Sequence, residues 1–243
     1  MAKALEGDYR PEHLFALKQS LAGYRYYQQQ IGEADEEIRQ HLADLPAAKN
    51  AEPKLPKRTK KYPYEKRHHE PTNFNLRAEL YRIFGVDLTN VPGISAVTAH
   101  TILCEVGTDL SRFRNASAFA SWLGLCPEKQ ISGGKILYTR TRPVRNRVAL
   151  ALRLGANSLH HADNYLGNFF RRMKRKIGKP PAVTATAHKL ARIIFHLLTR
   201  KEEYNDGIFF DSEKEASIRM TARLRKQAAA LGFQIVPVTS ANV

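Results

Sequence analysis

Apolar positions in the first part of the chain fall on alternating three- and four-residue steps: Leu14, Leu17, Leu21, Tyr24, Ile31, Ile38, Leu42 and Leu45. Gln28 and Asp35 are the polar interruptions of that series. A repeat of about 3.5 residues makes a narrow apolar seam that another helix must cover. The spacing predicts one long helix over residues 11–45, covered by the same chain or by a second copy. Packing against the domain behind it fits the same pattern, and the sequence does not separate the two. Pro46 ends the repeat. Residues 46–72 hold Pro53, Pro56, Pro63 and Pro71 among Lys54, Lys57, Arg58, Lys60, Lys61, Lys66 and Arg67. Four prolines forbid a continuous helix, and the few apolar residues are too sparse for a core. The stretch is expected to be a basic linker, with Tyr62 and Tyr64 suited to a phosphate backbone and its bases.

From Asn73 the apolar period becomes that of helices packed on a core. Leu76, Leu80, Ile83 and Phe84 make one face, and Ser95 to Val106 is a second helix. A short helix capped by Asn115 or Ser117 ends near Gly124. Residues 125–140 look irregular, with 135–138 as a short strand. Thr141 is expected to cap a helix with Pro143 in its first turn and Val144, Val148, Leu152, Gly155 and Leu159 on its inner face. A basic run from Arg171 to Lys176 precedes Gly178 and Pro180-Pro181. Val183, Ala187, Leu190, Ile194 and Leu197 then define another helix, with Lys189, Arg192, His196 and Arg200 on a different side of it. Glu213 to Leu231 is expected to be a charged surface helix. The fold class expected is mainly α: a long N-terminal coiled-coil helix, then a helical domain containing a helix-hairpin-helix. The expected divisions are a coiled-coil helix at 1–45, the basic Pro-rich linker at 46–72, the helix-hairpin-helix domain at 73–205, and a charged helix and tail at 206–243.

Charge narrows the range of partners. Lysine and arginine number 39 against 23 acids, a formal charge of +16 and a pI near 10.0 over 243 residues. Such an excess suits a polyanionic partner, and DNA is the expected one. No apolar run approaches a spanning helix, so no membrane contact is expected. Cys104 and Cys126 stand apart inside apolar stretches, which reads as small core residues of a reducing, cytoplasmic environment, nucleoid-associated when the chain is bound to DNA. The histidine doublets His68-His69 and His160-His161 lack the i, i+4 spacing that converges on zinc, so no metal ligands are assigned.

Two segments carry candidate chemistry. Val91-Pro92-Gly93-Ile94 is a short turn between amphipathic helices. Such a turn leaves backbone N–H groups pointing outward at a helix start, where a phosphate oxygen satisfies them; Pro92, Gly93 and Ile94 are the candidate contacts. Further on, Ser132 precedes Gly133-Gly134-Lys135, with Arg140, Arg142, Arg145 and Arg147 close behind. The glycines allow close approach, and the cations would stabilise a phosphate. No neighbouring residue supplies a base, however, so chemistry alone leaves Ser132 as a polar turn residue.

The order Val91-Pro92-Gly93-Ile94, Thr98-Ala99, Glu105-Val106-Gly107, Arg112-Phe113, Leu123-Gly124-Leu125, Pro127 and Ser132-Gly133-Gly134-Lys135 resembles the C-terminal domain of Piv-like DEDD insertion-sequence transposases. These are the insertion-sequence-110/116/902 family, also called bridge recombinases. Ala185-Thr186-Ala187-His188-Lys189-Leu190-Ala191 extends the likeness, which runs from the coiled-coil helix to about Tyr204. The resemblance implies that Ser132 is the serine that attacks DNA and forms a phosphoserine link in strand exchange. Gly133, Gly134, Lys135, Arg140, Arg142 and Arg145 become nucleic-acid contacts with it. It further implies a structured guide RNA, a homo-oligomer through the coiled coil, and Mg2+ held by four acids of an RNase-H-like domain that precedes the coiled coil in that family. No cofactor is expected in this chain itself. Asp8, Glu12, Asp35 and Asp44 do not look like those acids, so the chain is expected to be a truncated or split copy, inactive unaided. A non-catalytic helix-hairpin-helix protein holding DNA or RNA is the alternative. A coiled-coil assembly protein with an incidental basic surface is a third.

Overall fold

The computed structural model describes residues 7, 10–49, 55–56, 69–207 and, save 223 and 226, 221–234. Nearly all of the basic linker's lysines and arginines, with Tyr62 and Tyr64, lie outside the described residues. The architecture is mainly helical, as expected. Helix α1 spans Pro11–Ala43, and its first residue is a proline, whose missing N–H costs least there. Among the described residues, its C-terminal end is the part that meets the core. Leu42 is buried and Ile38 packs on the core, whereas Leu14, Leu17, Leu21, Tyr24 and Ile31 are exposed. Asp35 is no break in a free seam: it is buried, and its carboxylate accepts the Thr72 N–H at 2.9 Å. The Arg82 guanidinium donates to the carbonyls of Leu42 (2.6 Å) and Leu45 (2.8 Å), closing the helix end with a cation where the dipole is negative.

Helix α2 (Leu76–Phe84) starts at an Asn75 cap and ends on left-handed Gly85. A 3-10 turn at Leu88–Asn90 leads to the Val91–Ser95 turn and to α3 (Ala96–Val106), capped by Ser95. Helix α4 (Ala116–Trp122) is capped by Asn115, which accepts the Ala118 N–H at 2.8 Å. Helices α5 (Arg147–Ser158), α6 (Tyr165–Ile177) and α7 (Lys179–Arg200) complete the body. Residues of α4, α5 and α6 pack on α7, whose Ala187, Leu190, Ala191 and Ile194 are fully enclosed. At ~1.5 Å per residue α7 is roughly 33 Å long, enough to run through the whole core. Behind α2, Arg77 and Asp87 form a buried ion pair at 2.5 Å. Thr89 donates its N–H and hydroxyl to the same carboxylate, and Asp87 N–H reaches Glu203 beyond α7.

The structure corrects three expectations. Residues 125–140 are not irregular: β1 (Pro127–Ser132) and β2 (Lys135–Thr141) form an antiparallel hairpin with an irregularity at Gln130/Ile131. Thr141 therefore ends a strand, and α5 begins later, at Asn146, whose side chain accepts the Ala149 N–H. Cys104 is exposed and Cys126 half-buried, so neither is an enclosed core residue. The C-terminal helix expected over Glu213–Leu231 is seen in part; the described residues of 221–230 are helical, and the remainder falls outside the described residues.

Candidate nucleic-acid interface

The turn before α3 is organised by a contact between two glycines. Gly93 has a φ of +85°, a conformation that strains any residue with a Cβ. A Cβ at Gly93 would meet the Gly155 carbonyl oxygen at 2.8 Å, and a Cβ at Gly155 would strike the Gly93 carbonyl. The turn thus lies directly against the backbone of α5. Pro92 and Ile94 are buried, and the Ile94 N–H donates to the Val91 carbonyl at 3.1 Å. The Thr98 N–H is satisfied by the Ser95 hydroxyl at 3.1 Å. A 280 Å³ hollow remains beside the turn, lined by Ser95, Thr98, Thr101, Leu154 and Ser158. Hydroxyls dominate its polar lining.

The Ser132 loop is the tip of the hairpin. Ser132 pairs with Lys135, leaving Gly133 and Gly134 as a two-residue connection with φ of +54° and +75°. Positive φ at both central residues is the turn whose twist matches antiparallel strands, and it explains why two glycines stand there. Ser132, Gly133, Gly134 and Lys135 are all exposed, and nothing lies within 4 Å of a Cβ built on either glycine. At ~3.3 Å per residue, Ser132 stands roughly 17 Å out from the hairpin base at Pro127.

Arg140 belongs to the base of the hairpin, paired with Glu128; its side chain lies outside the description. Arg142 follows the last strand and donates to the Ser121 carbonyl at 3.1 Å. Arg145 is exposed on the way to α5, and Arg147 is ion-paired to Glu105 at 2.5 Å. The sequence-predicted residues therefore fall in three places: the tip with Ser132, Gly133, Gly134 and Lys135; the base with Arg140, Arg142 and Arg145; and the packed turn with Pro92, Gly93 and Ile94. Gly155 lies roughly 12 Å along α5 from Arg147, at ~1.5 Å per residue, so base and turn occupy two stations of one helix. Across the strand pair Ser132 faces Lys135. Among the described residues no group of three or more His, Cys, Asp or Glu side chains comes together as a metal site.

Electrostatics around the base are cationic. Burial pushes the Cys126 thiol up, while Arg142 and Arg192 both pull it down, so an arginine of α7 and one of the hairpin base share a neighbourhood. Elsewhere, Lys174 and burial hold His160 below the ordinary imidazole value, with its Nε2 2.9 Å from the Lys174 ammonium. No described helix is long and apolar enough to cross a membrane.

Residues 87–171 match the model of the Transposase IS116/IS110/IS902 family. Over that segment the chain is similar to that family. The matched segment runs from Asp87 through the turn, the hairpin and α5 into α6, and so contains every sequence-predicted site residue. A protein of Sinorhizobium fredii named as a transposase, y4pF/y4sB, is 31% identical over 130 residues, covering 49% of this chain and 32% of its own length. The transposase for insertion sequence element IS1111A of Coxiella burnetii is 29% identical over 123 residues, 49% of this chain and 34% of its own. The chain's match thus spans about a third of the length of these relatives.

Sequence reasoning misses two things here. The partner of Gly93 is Gly155, which reads as one more member of an apolar face although its lack of a side chain is the signal. The basic row of α7 is visible in the sequence, but the aromatic wall that α6 sets against it is not.

Proposed function

We propose that this chain is part of a transposase, holds the sugar-phosphate backbone of DNA along the face that joins the α5 start to the hairpin, and presents Ser132 to one phosphodiester. The observation that carries this reading is the hairpin itself. It lifts one hydroxyl away from the body on a glycine-built tip while keeping its arginines at the root, as a device that reaches into a groove would. The reaction is a transesterification. Ser132 Oγ forms a new P–O bond, the strand's bridging oxygen leaves, and the serine proton ends on that oxygen. The Mg2+ implied for the family would be held by residues other than these, and it would polarise the phosphoryl oxygens when bound. A structured guide RNA and pairing of α1 with a second copy belong to the same proposal; the exposed Leu14, Leu17, Leu21 and Ile31 supply the uncovered seam for the latter.

DNA binding measured against salt tests it. Contact through lysine and arginine should give a logarithmic slope near −0.9 per phosphate. Arg142→Glu with Arg145→Glu should flatten that slope by about one for each phosphate left without its cation. A slope unchanged in that double variant would remove the hairpin base from the interface.

A further inference from the structure

A groove of about 530 Å³ lies between α6, α7 and the segment that follows α7. This size falls within the ~300–1,000 Å³ of sites that take a small flat molecule. Tyr165 and Phe169 of α6 and Ile193 and Leu197 of α7 form its apolar floor. His188, Arg192, His196 and Arg200 stand along it at every fourth residue of α7, the spacing that keeps side chains on one helix face. Lys189 reaches into the groove, its ammonium 4.2 Å from the Tyr165 ring centre and 4.3 Å from that of Phe169. Two acids close one end. Glu203 is turned to the Asp87 N–H, and Glu202 lines the groove with it. The hairpin base lies on the same side of the fold as α4, since Arg142 donates to the Ser121 carbonyl of α4 and α4 packs on α7.

An apolar, aromatic floor with cations on its rim is complementary to a nucleotide that has left its stack: a flat base inside and phosphates at the edge. Double-helical backbone alone would use the rim and leave the floor wet. A neutral ligand would use the floor and leave Lys189, Arg192 and Arg200 idle. We infer that this groove takes one unpaired nucleobase of a DNA or RNA strand, its flanking phosphates held by Arg192, His196 and Arg200. Lys189, and Arg172 at 5.6 Å from the Phe169 ring, shift onto the phosphates and leave the ring face to the base. The inference rests on the proposal that the chain contacts nucleic acid, and it is independent of Ser132.

Fluorescence anisotropy on the full chain tests it with a blunt duplex and the same duplex carrying a one-base bulge, each as DNA and as RNA. The bulged probe should bind roughly 5- to 100-fold more tightly, the worth of one stacked base. Phe169→Ala, and separately Arg192→Ala with Arg200→Ala, should reduce its affinity to that of the blunt duplex. The arginines are exposed, so that pair decides the matter if Phe169→Ala fails to fold. Preference for the DNA bulge, the RNA bulge or both identifies the strand. Arg142→Glu should weaken both probes alike and preserve their ratio; an effect on neither would count against the hairpin-base interface without touching the groove. A chain that binds both probes equally, or a preference that survives the arginine pair, overturns the inference.

Discussion

Gly93 and Gly155 show how a single missing Cβ shapes the molecule. Each glycine lets the other's carbonyl approach to a distance that any side chain would forbid. Gly155→Ala should therefore destabilise the fold by roughly 1–3 kcal/mol, the usual cost of overpacking, although alanine is the better helix former. Thermal unfolding measures this, and an unchanged midpoint would show that the turn can lift off α5 freely. Ser132 is the opposite case. Exposed at a hairpin tip, its replacement in Ser132→Ala should alter stability by no more than ~0.5 kcal/mol. Any loss of strand transfer in a complete recombination system would then be chemical in origin, and equal loss of folding would refute that assignment.

Among the elements, the ion pair of Arg77 with Asp87 fastens α2 to the 3-10 turn and, through Glu203, to the segment beyond α7. Asp87→Ala leaves a buried guanidinium without its carboxylate, and about 3–5 kcal/mol should be lost. Denaturant unfolding would report it, and a loss below ~1 kcal/mol would mean that water replaces the carboxylate. The helices are largely legible in the sequence because their signals are local. Leu76, Leu80, Ile83 and Phe84 repeat at helical spacing, and Ser95 and Asn115 are caps with the side chains that caps require. The hairpin is less so. Ile131 to Lys135 are exposed at the tip, where no core imposes an apolar alternation, so the sequence marks only 135–138 as a strand beside Gly133-Gly134. The limits of the heptad are hidden for a related reason. Ile38 and Leu42 look like Leu17 and Leu21 in sequence, and only the position of α2 decides which of them is covered.

At the scale of the whole molecule, positive charge and neutral histidines act together. Burial is the main cause that holds His100, His188 and His196 below the ordinary imidazole value, with arginines adding to it at the last two. A histidine whose folded value is depressed binds fewer protons folded than unfolded. Its contribution to stability is complete above the ordinary value of 6.5 and is lost as pH falls through the lower folded value. The melting temperature should fall steadily from pH 7 to 5, and His188→Gln should lessen that fall; a flat profile would mean that the imidazoles charge without cost. The +16 charge bears on binding as well. Repulsion among these cations is relieved by a polyanion, so DNA should raise the melting temperature most at low salt.

In the proposed complex the hairpin tip meets the sugar-phosphate backbone. Disulfide capture tests it most directly: Ser132→Cys, in a chain with Cys104→Ala and Cys126→Ala, is mixed with duplex DNA bearing a thiol tethered to one backbone phosphate. Rapid, position-dependent cross-linking is expected at residue 132, and little at a cysteine introduced at Ser20 on α1. Equal or faster capture at position 20 would contradict it.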